Sequence, residues 1–233
     1  MIIVGIDTSS MACSAAIMRD GRLIAEKTVN SALTHSQTLM PALIELMEGE
    51  NLTCADVDMF AAAVGPGSFT GVRIGVCAVK GLCHGADKPV VAVDTLEALA
   101  LGTGYEGIIC PILDARREQV YTALFRCENG VLTRLGEDEA LPLAELAGRL
   151  ANYDKVYFTG DGLDTLGGKV KELMGERALL APAHLRLMRA STVCLAAMNR
   201  ADEAMDAEKL TPLYLRVSQA ERERSERLTR AKL

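Results

Sequence analysis

Short apolar runs alternate along the chain with segments in which apolar residues recur every three or four positions. The first pattern predicts buried strands and the second predicts helices. In the first half, strands are predicted at 1–6, 13–18, 23–29, 59–64 and 89–94, and helices up to 47, at 72–83 and at 96–101. In the second half, strands are predicted at 107–114, 118–126, 131–135 and 155–159, and helices at 142–151, 163–174, 192–204 and 221–232.

The two halves share one layout. An apolar strand ends in Asp7 and is followed by a hairpin, and a second apolar strand ends in Asp114 and is followed by a strand, a turn and another strand. This repetition predicts a duplicated α/β fold of the actin, hexokinase and Hsp70-like (ASKHA) type, ββ-βαβα, with two lobes. The predicted lobes are 1–104 and 105–215, followed by a basic segment, 216–233, that could pack back on the N-terminal lobe.

Length and composition support a protein with a substantial core. The chain has 233 residues, of which 49% are hydrophobic and none is Trp, so the predicted core is aliphatic. Seven cysteines form an odd number without C-x-x-C spacing, which favours buried free thiols over a zinc site. No apolar run approaches the roughly 20 residues that span a bilayer. With no basic segment before Asp7, we expect a cytoplasmic protein without a membrane partner.

Charge limits the way in which the chain could meet RNA. The net charge of −6 argues against binding RNA alone through a broad basic face. The charge is uneven, because residues 216–233 hold five Arg and one Lys against three Glu. If RNA is involved, another subunit is expected to supply most of the phosphate contacts.

The segment 64–75 joins a predicted strand to a predicted helix through three glycines, Gly65, Gly67 and Gly71. Such glycines permit positive φ angles or a close approach, and Ser68 or Thr70 could cap the helix. The string lacks the lysine of a P-loop and has one residue too many for G-x-G-x-x-G. It also differs from the G-x-S-x-G nucleophile elbow. A tight turn before a capped helix remains an equal alternative to a ligand site.

The complete strings are more specific. GPGSFTGVRIG at 65–75, IIVGIDTSS at 2–10, THSQTLMP at 34–41 and PLYLR at 212–216 together resemble the TsaB family, formerly YeaZ, over nearly the whole chain. The resemblance implies a paralogue of TsaD that serves in making threonylcarbamoyl-adenosine in tRNA. It also implies a heterodimer with TsaD, participation of the ATPase TsaE, a homodimer when the chain is alone, and contact with tRNA only through the complex.

Both predicted phosphate loops depart from the pattern of ATP-using relatives. No glycine follows Asp7, and two bulky cations, Arg116 and Arg117, follow the second Asp. We therefore predict no catalytic residue. The candidates for a degenerate nucleotide site are Asp7, Thr8, Ser9, Asp114, Arg116, Gly160 and Gly162. Turns that bond only their own backbone remain the alternative for the Asp7 segment.

Two helices are candidates for a partner surface. On the first, Met40, Ile44 and Met47 form an apolar stripe that could equally be buried or face another subunit. On the second, glycines spaced by four indicate close packing against a helix of this chain or of a partner. The resemblance implies that both contribute to the dimer surface. The loop and interface candidates are His35, Met40, Ile44, Met47, Gly67, Ser68, Thr70, Gly71, Arg73, Gly75 and Lys80.

These features favour a non-catalytic subunit that activates TsaD. We expect no metal site, because the histidines are far apart and no H-E-x-x-H occurs, which also argues against a peptidase. We expect no cofactor on the isolated chain, with ATP or ADP and Mg bound, if at all, at the level of the complex. The alternative is a small ATP-dependent kinase or ATPase of the same superfamily, with Asp7 on the metal and Asp114 as a second carboxylate.

Overall fold

The computed structural model describes residues 1–216, so the predicted helix at 221–232 and the packing of 217–233 lie outside the described residues. The first half forms a five-stranded sheet in the order β3-β2-β1-β4-β5. β1, β2 and β3 pair antiparallel, whereas β4 and β5 extend the sheet in parallel to β1. Its strands are β1 (Ile2–Asp7), β2 (Cys13–Arg19), β3 (Arg22–Val29), β4 (Met59–Gly65) and β5 (Val90–Asp94).

The second half forms a seven-stranded sheet centred on β6. The path β10-β7-β6-β11-β12 carries two further strands, because β8 pairs with β6 and β9 pairs with β8. β11 lies parallel to β6 and to β12. The strands are β6 (Gly107–Asp114), β7 (Gln119–Thr122), β8 (Phe125–Glu128), β9 (Val131–Arg134), β10 (Glu139–Pro142), β11 (Val156–Thr159) and β12 (Ala178–Leu180).

Six α-helices cover the two sheets in the described part of the chain. They are α1 (His35–Gly49), α2 (Phe69–Ala86), α3 (Thr95–Leu101), α4 (Leu143–Arg149), α5 (Gly162–Met174) and α6 (Ala190–Met198). No helix among residues 1–216 combines the length and the apolar character needed to cross a membrane. All seven cysteines are free, and four of them, Cys13, Cys83, Cys110 and Cys194, are buried.

The core follows the alternation of side chains along the strands. One face of the first sheet packs under α1 and α2, with Ile6 and Phe60 against Leu43 and Val76. The opposite face, which includes Ile3, packs with α3, α6 and the inner side of the second sheet. The far side of the second sheet is covered by α4 and α5. The mixed α/β architecture with two sheets confirms the predicted fold class.

The last described segments return to the first sheet. Helix α6 packs against β1 and β2, where Gly5 leaves room for the side chain of Cys194 and the carbonyl of Ala190. Met205 forms a bridge with Val90 of β5. The predicted second lobe, 105–215, therefore includes a segment whose contacts are with the first sheet.

Local contacts decide the start of α1 and the number of strands in 118–126. Helix α1, for which the sequence predicts only the end near Met47, begins at His35, where the Thr34 N–H donates a hydrogen bond to Gln37 Oε1 at 3.1 Å. Pro41 removes only one helical hydrogen bond. The predicted strand 118–126 is two strands, β7 and β8, which pair with different halves of β6.

Three short elements also differ from the sequence predictions. β10 and β12, of four and three residues, were not predicted. The helix predicted at 192–204 is α6, which ends at Met198. The side chain of Ser191, at the start of α6, donates to Glu26 Oε1 at 2.6 Å.

Candidate functional site

The turn that follows β1 is built around a buried carboxylate. Asp7, Thr8, Ser9 and Ser10 are all buried. Asp7 Oδ1 accepts hydrogen bonds from the Ser9 N–H at 3.0 Å and from Ser9 Oγ at 2.5 Å. This is the self-bonded turn that short polar side chains commonly form. Asp7 Oδ2 has no hydrogen-bond partner among the described residues.

Burial dominates the electrostatics of Asp7. Desolvation, together with the nearby negative charge of Asp161, raises the pKa of the Asp7 carboxyl from 3.8 to about 6. The two hydrogen bonds from Ser9 act in the opposite direction, because they stabilise the ionised form. The carboxylate is therefore poorly compensated by the described part of this chain.

The loop 65–71 packs directly on this turn. Ser68 donates its N–H to the Ser9 carbonyl at 2.7 Å, and Thr8 Oγ1 donates to the Gly71 carbonyl at 2.7 Å. A Cβ atom at Gly67 or Gly71 would overlap the backbone carbonyl oxygens of the Asp7 turn. The close approach predicted for the glycines of this loop is therefore made by the turn after β1. For Gly71, which also belongs to the glycines spaced by four, the predicted helix partner was wrong.

The start of α2 is fixed by one of the two predicted caps. Ser68 Oγ accepts a hydrogen bond from the Gly71 N–H at 3.2 Å. Thr70 lies one residue inside the helix and is exposed. Gly75, one turn further along, faces Thr8 Oγ1 so closely that a side chain would not fit. The first turns of α2 are thus shaped to hold Thr8.

The second half-site has a strained turn where a phosphate loop would need small residues. Asp114 Oδ1 accepts a hydrogen bond from the Arg116 N–H at 2.7 Å. Arg116, Arg117 and Glu118 have φ angles of 67°, 55° and 57°. Positive φ is uncommon for residues other than glycine, and three in succession define a tight left-handed turn that presents two exposed arginines.

The predicted glycines Gly160 and Gly162 flank an acidic residue that the sequence reasoning passed over. Both approach the backbone of Ile112 in β6, and Gly160 has a φ of 101°. Between them, Asp161 Oδ2 accepts a hydrogen bond from the Met11 N–H at 3.2 Å. Burial raises the pKa of Asp161. Asp161 thereby links the second half of the chain to the Asp7 turn.

Three buried polar atoms collect where the two half-sites meet. Asp7 Oδ2, Ser10 Oγ and Asp161 Oδ1 have no hydrogen-bond partner in residues 1–216. Only two of these atoms belong to carboxylates, and the described residues contain no group of three His, Cys, Asp or Glu side chains that could hold a metal. The donor set does not fit a metal ion held by this chain alone.

The two candidate helices carry exposed apolar residues. On α1, Met40 and Ile44 are 37% and 49% exposed, whereas Met47 is 7% exposed and packs on the first sheet. The predicted stripe is therefore divided between core and surface. On α2, Cys77 is exposed, and a Cβ at Gly81 would meet no described atom within 4 Å.

His35 connects α1 to the half-site. Its Nε2 lies 2.9 Å from the carbonyl oxygen of Ser10. Together with the contacts of Ser68 and Gly71, this bond means that both exposed helices begin on the Asp7 turn. Displacement of either helix would therefore also disturb the contacts of the Asp7 turn.

The segment 210–216 lies across the loop and ends at the second half-site. The Leu213 N–H donates to the Val64 carbonyl at 2.7 Å. The ring of Tyr214 stacks on Phe69, with centroids 4.4 Å apart, and Arg73 Nε donates to Tyr214 Oη at 2.7 Å. Arg216 then donates to the Ala115 carbonyl at 2.7 Å. We name this segment the strap.

Lys80 belongs to the same arrangement, because its Nζ donates to the Glu208 carbonyl at 3.1 Å just before the strap. The structure brings together the predicted residues of the Asp7 turn and of loop 65–75, and places Gly160 and Gly162 beside Asp114. It adds Ser10, Asp161, Phe69 and Tyr214, which sequence reasoning missed. The scarcity of aromatic residues, 4% of the chain, could have drawn attention to the last two.

The two sheets share one layout, and each has an acidic turn at the end of its first strand. This arrangement defines an actin- and hexokinase-like fold. The fold agrees with that of the ROK hexokinase from Thermus thermophilus, with a TM-score of 0.50 at 13% identity over 87% of this chain and all of that one. The YeaZ structure from Pseudomonas aeruginosa is much more similar, with a TM-score of 0.78 at 29% identity, covering 92% of this chain and 99% of that one.

The sequence comparisons identify the protein family within this fold class. Residues 24–224 match the family model described as "TsaD: tRNA N6-adenosine threonylcarbamoyltransferase". The Bacillus subtilis "tRNA threonylcarbamoyladenosine biosynthesis protein TsaB" is 36% identical over 223 residues, 95% of this chain and 96% of that one. The chain belongs to the TsaB family, as its motifs indicated.

Proposed function

We propose that this chain is a non-catalytic subunit of the machinery that makes threonylcarbamoyladenosine in tRNA. It acts by binding the TsaD protein, which holds the reaction centre, with TsaE joining the complex. The Bacillus subtilis relative is named for this biosynthesis. The complex transfers a threonylcarbamoyl group to the adenosine beside the anticodon.

The observation that carries the non-catalytic role is the closed state of the first half-site. The glycines that a phosphate loop would use to admit a ligand instead admit the backbone of Thr8 and Ser9. Within the Asp7 turn, the Ser9 N–H and Ser9 Oγ both donate to Asp7 Oδ1, and the Ser68 N–H donates to the Ser9 carbonyl. Backbone N–H groups that already bond inside the protein are not free to cradle a phosphate.

The partner surface is the exposed part of α1 and α2. Met40 and Ile44 expose apolar side chains on α1. On α2, Cys77 is exposed and Gly81 has no side chain, so the backbone of that helix is accessible there. Small residues let a partner helix approach closely, and exposed methionine adapts to an opposing surface. A second copy of this chain would use the same surface when TsaD is absent.

Nucleotide chemistry belongs to the complex in this proposal. Asp7 and Asp161, the two carboxylates with a buried oxygen that no described residue bonds, do not complete a metal site by themselves. ATP or ADP and Mg²⁺ would therefore be bound with groups from another subunit. An isolated chain that binds Mg-ATP and loses that binding on Asp7→Ala would support a kinase or ATPase instead.

The function is tested by measuring threonylcarbamoyl transfer to unmodified tRNA in a reconstituted system. The mixture contains the cognate TsaD and TsaE, with this chain present, absent or alone. Turnover only in the full mixture supports the proposal. Turnover by this chain alone would contradict the non-catalytic role, and turnover without it would contradict a required role.

The partner surface is tested with a pair of matched substitutions. Ile44→Asp places a charge on the exposed part of α1, and Val131→Asp places the same charge on β9, where the side chain is 66% exposed. Both sites are exposed, so neither change should unfold the chain. We expect co-purification with TsaD to fail for Ile44→Asp only; equal binding by both variants would exclude this surface.

A further inference from the structure

We propose that the turn at Arg116 and Arg117 is a contact site for the phosphate backbone of RNA. The inference rests on the proposed function, which supplies tRNA as the polyanion in the complex. It is carried by four observations on the described residues: a constrained turn, two unpaired guanidinium groups, the position of Arg216 in the strap, and the uncompensated carboxylates of the two half-sites.

The turn constrains the backbone that carries its two arginines. Its backbone is closed by hydrogen bonds from the Ala115 N–H to the Gln119 carbonyl, at 3.0 Å, and from the Gln119 N–H to the Arg116 carbonyl, at 3.1 Å. The Arg116 N–H also donates a hydrogen bond to Asp114 Oδ1, which fixes the start of the turn. Left-handed backbone at consecutive non-glycine residues is costly and is concentrated at functional sites. In this turn, the costly backbone conformation places two exposed cations next to each other.

The two guanidinium groups are available for an external anion. Neither Arg116 nor Arg117 forms an ion pair with any carboxylate of residues 1–216, and the adjacent acid, Glu118, is held by Lys169 at 2.7 Å. Most other arginines of the described chain are engaged with a carboxylate, as Arg134 and Arg149 are. Exposed arginines suit phosphate because each guanidinium offers several donors in one plane.

The strap adds positive charge at the same place. Arg216 bonds the Ala115 carbonyl at 2.7 Å, so the chain passes residue 216 directly beside the turn. Arg216 thus adds a third guanidinium group beside Arg116 and Arg117, in a chain whose total charge is −6.

The acids of the two half-sites favour a polyanion on the exposed turn over a mononucleotide bound between the half-sites. Asp7 is buried and Asp161 is partly buried, and each has a buried carboxylate oxygen without a hydrogen-bond partner among the described residues. A phosphate bound at the half-sites would meet these acids. An RNA backbone can remain outside and offer successive phosphates to neighbouring arginines.

Binding of tRNA to the complex tests this site. Fluorescently labelled, unmodified tRNA is titrated with the assembled complex of this chain and TsaD over a range of salt concentrations. Arg116→Asn/Arg117→Asn removes both charges with a side chain that tolerates positive φ. The matched control is Arg19→Asn/Arg22→Asn, at the hairpin between β2 and β3, at the opposite end of the first sheet.

Two lost phosphate contacts should reduce the slope of log affinity against log salt by about 1.4, at roughly 0.7 for each single-stranded contact. Affinity at physiological salt should fall on the order of tenfold. The control should keep the affinity and the slope of the unmodified complex. Arg116→Lys/Arg117→Lys should restore most of the slope, since lysine keeps the charge.

Three results would overturn the inference. The first is an unchanged slope in the Arg116→Asn/Arg117→Asn complex, and the second is an equal loss in the control, which would show an effect of net charge only. The third is a variant that binds TsaD more weakly but, wherever its complex with TsaD still forms, binds tRNA with normal affinity. That result would make the turn a contact for TsaD rather than for RNA. Because binding is measured without turnover, a complex that binds tRNA through these arginines but transfers nothing would refute the proposed function and leave this site standing.

Discussion

Replacement of Asp7 by asparagine separates a structural role for this residue from a catalytic one. The carboxylate is fully buried, accepts two hydrogen bonds through Oδ1 and has an Oδ2 that no described residue bonds. Asparagine keeps the shape and the acceptor oxygen for Ser9 but carries no charge. The change in stability should therefore depend on pH, because only the native side chain can ionise.

The magnitude follows from the pKa of Asp7. Burial raises that pKa from 3.8 to about 6, so the folded state holds a proton that the unfolded state has already released between these values. Stability then falls as pH rises through this window, and the full penalty is reached above the folded pKa. At about 1.4 kcal/mol for each pKa unit, the penalty is about 3 kcal/mol. The amide nitrogen of the substituted side chain would take the place of Oδ2 and find no acceptor, at a cost of about 1–3 kcal/mol that does not vary with pH.

The difference in unfolding free energy between the variant and the native chain should thus shift in favour of the variant by roughly 2–3 kcal/mol between about pH 4 and about pH 8. Urea unfolding of the isolated chain at both pH values measures this shift. A difference that is the same at both pH values would refute the reasoning, because it would mean that the Asp7 charge is compensated. The same variant should retain threonylcarbamoyl transfer in the full mixture if the chain is non-catalytic.

Three further changes test separate parts of the structure. Gly71→Ala should lower the free energy of unfolding by about 2–3 kcal/mol, because the added Cβ would overlap a backbone carbonyl, whereas Gly81→Ala on the open side of the same helix should raise it by about 1 kcal/mol. Burial and Asp138 raise the pKa of Asp94 to about 8, so stability should decline as pH rises towards 8, and Asp138→Asn should flatten that decline in urea unfolding. Tyr214→Phe keeps the stacked ring and should cost about 0.5–1 kcal/mol in thermal unfolding, while Tyr214→Ala should cost about 2 kcal/mol.

The sequence was sufficient for the architecture because each half repeats strongly patterned strands. Runs such as 59–64 and 108–113 are apolar throughout, and they lie in central strands that are covered on both faces. It failed where tertiary context decided the outcome. The segment 118–126 reads as one strand, yet β6 is long enough to pair with its two ends separately. Short strands such as β12 carry too few residues for a pattern to show.

The candidate site was predictable in its residue types and not in its contacts. The glycines of loop 65–75 predicted that another group packs closely against the loop. Only the fold shows that this group is the segment of Thr8 and Ser9. The contact between Asp161 and Met11 joins residues 150 positions apart, and no local pattern contains that pairing. The exposure of Met40 and the burial of Met47 likewise depend on how α1 sits on the sheet.

The geometry gives the Asp7 half-site a structural role that does not depend on a bound phosphate. In this chain the Asp7 turn is where four elements converge: His35 of α1 contacts Ser10, the loop before α2 contacts Ser9, α2 itself holds Thr8, and Asp161 from the second half holds Met11. A subunit that works by binding another needs its partner helices fixed relative to the rest of its fold. The turn provides that connection through its own backbone, so it constrains both exposed helices whether or not a nucleotide is present. On this view, the half-site is retained because it is structural, and substitutions that loosen it, such as Gly71→Ala, should weaken the binding of TsaD as well as the fold.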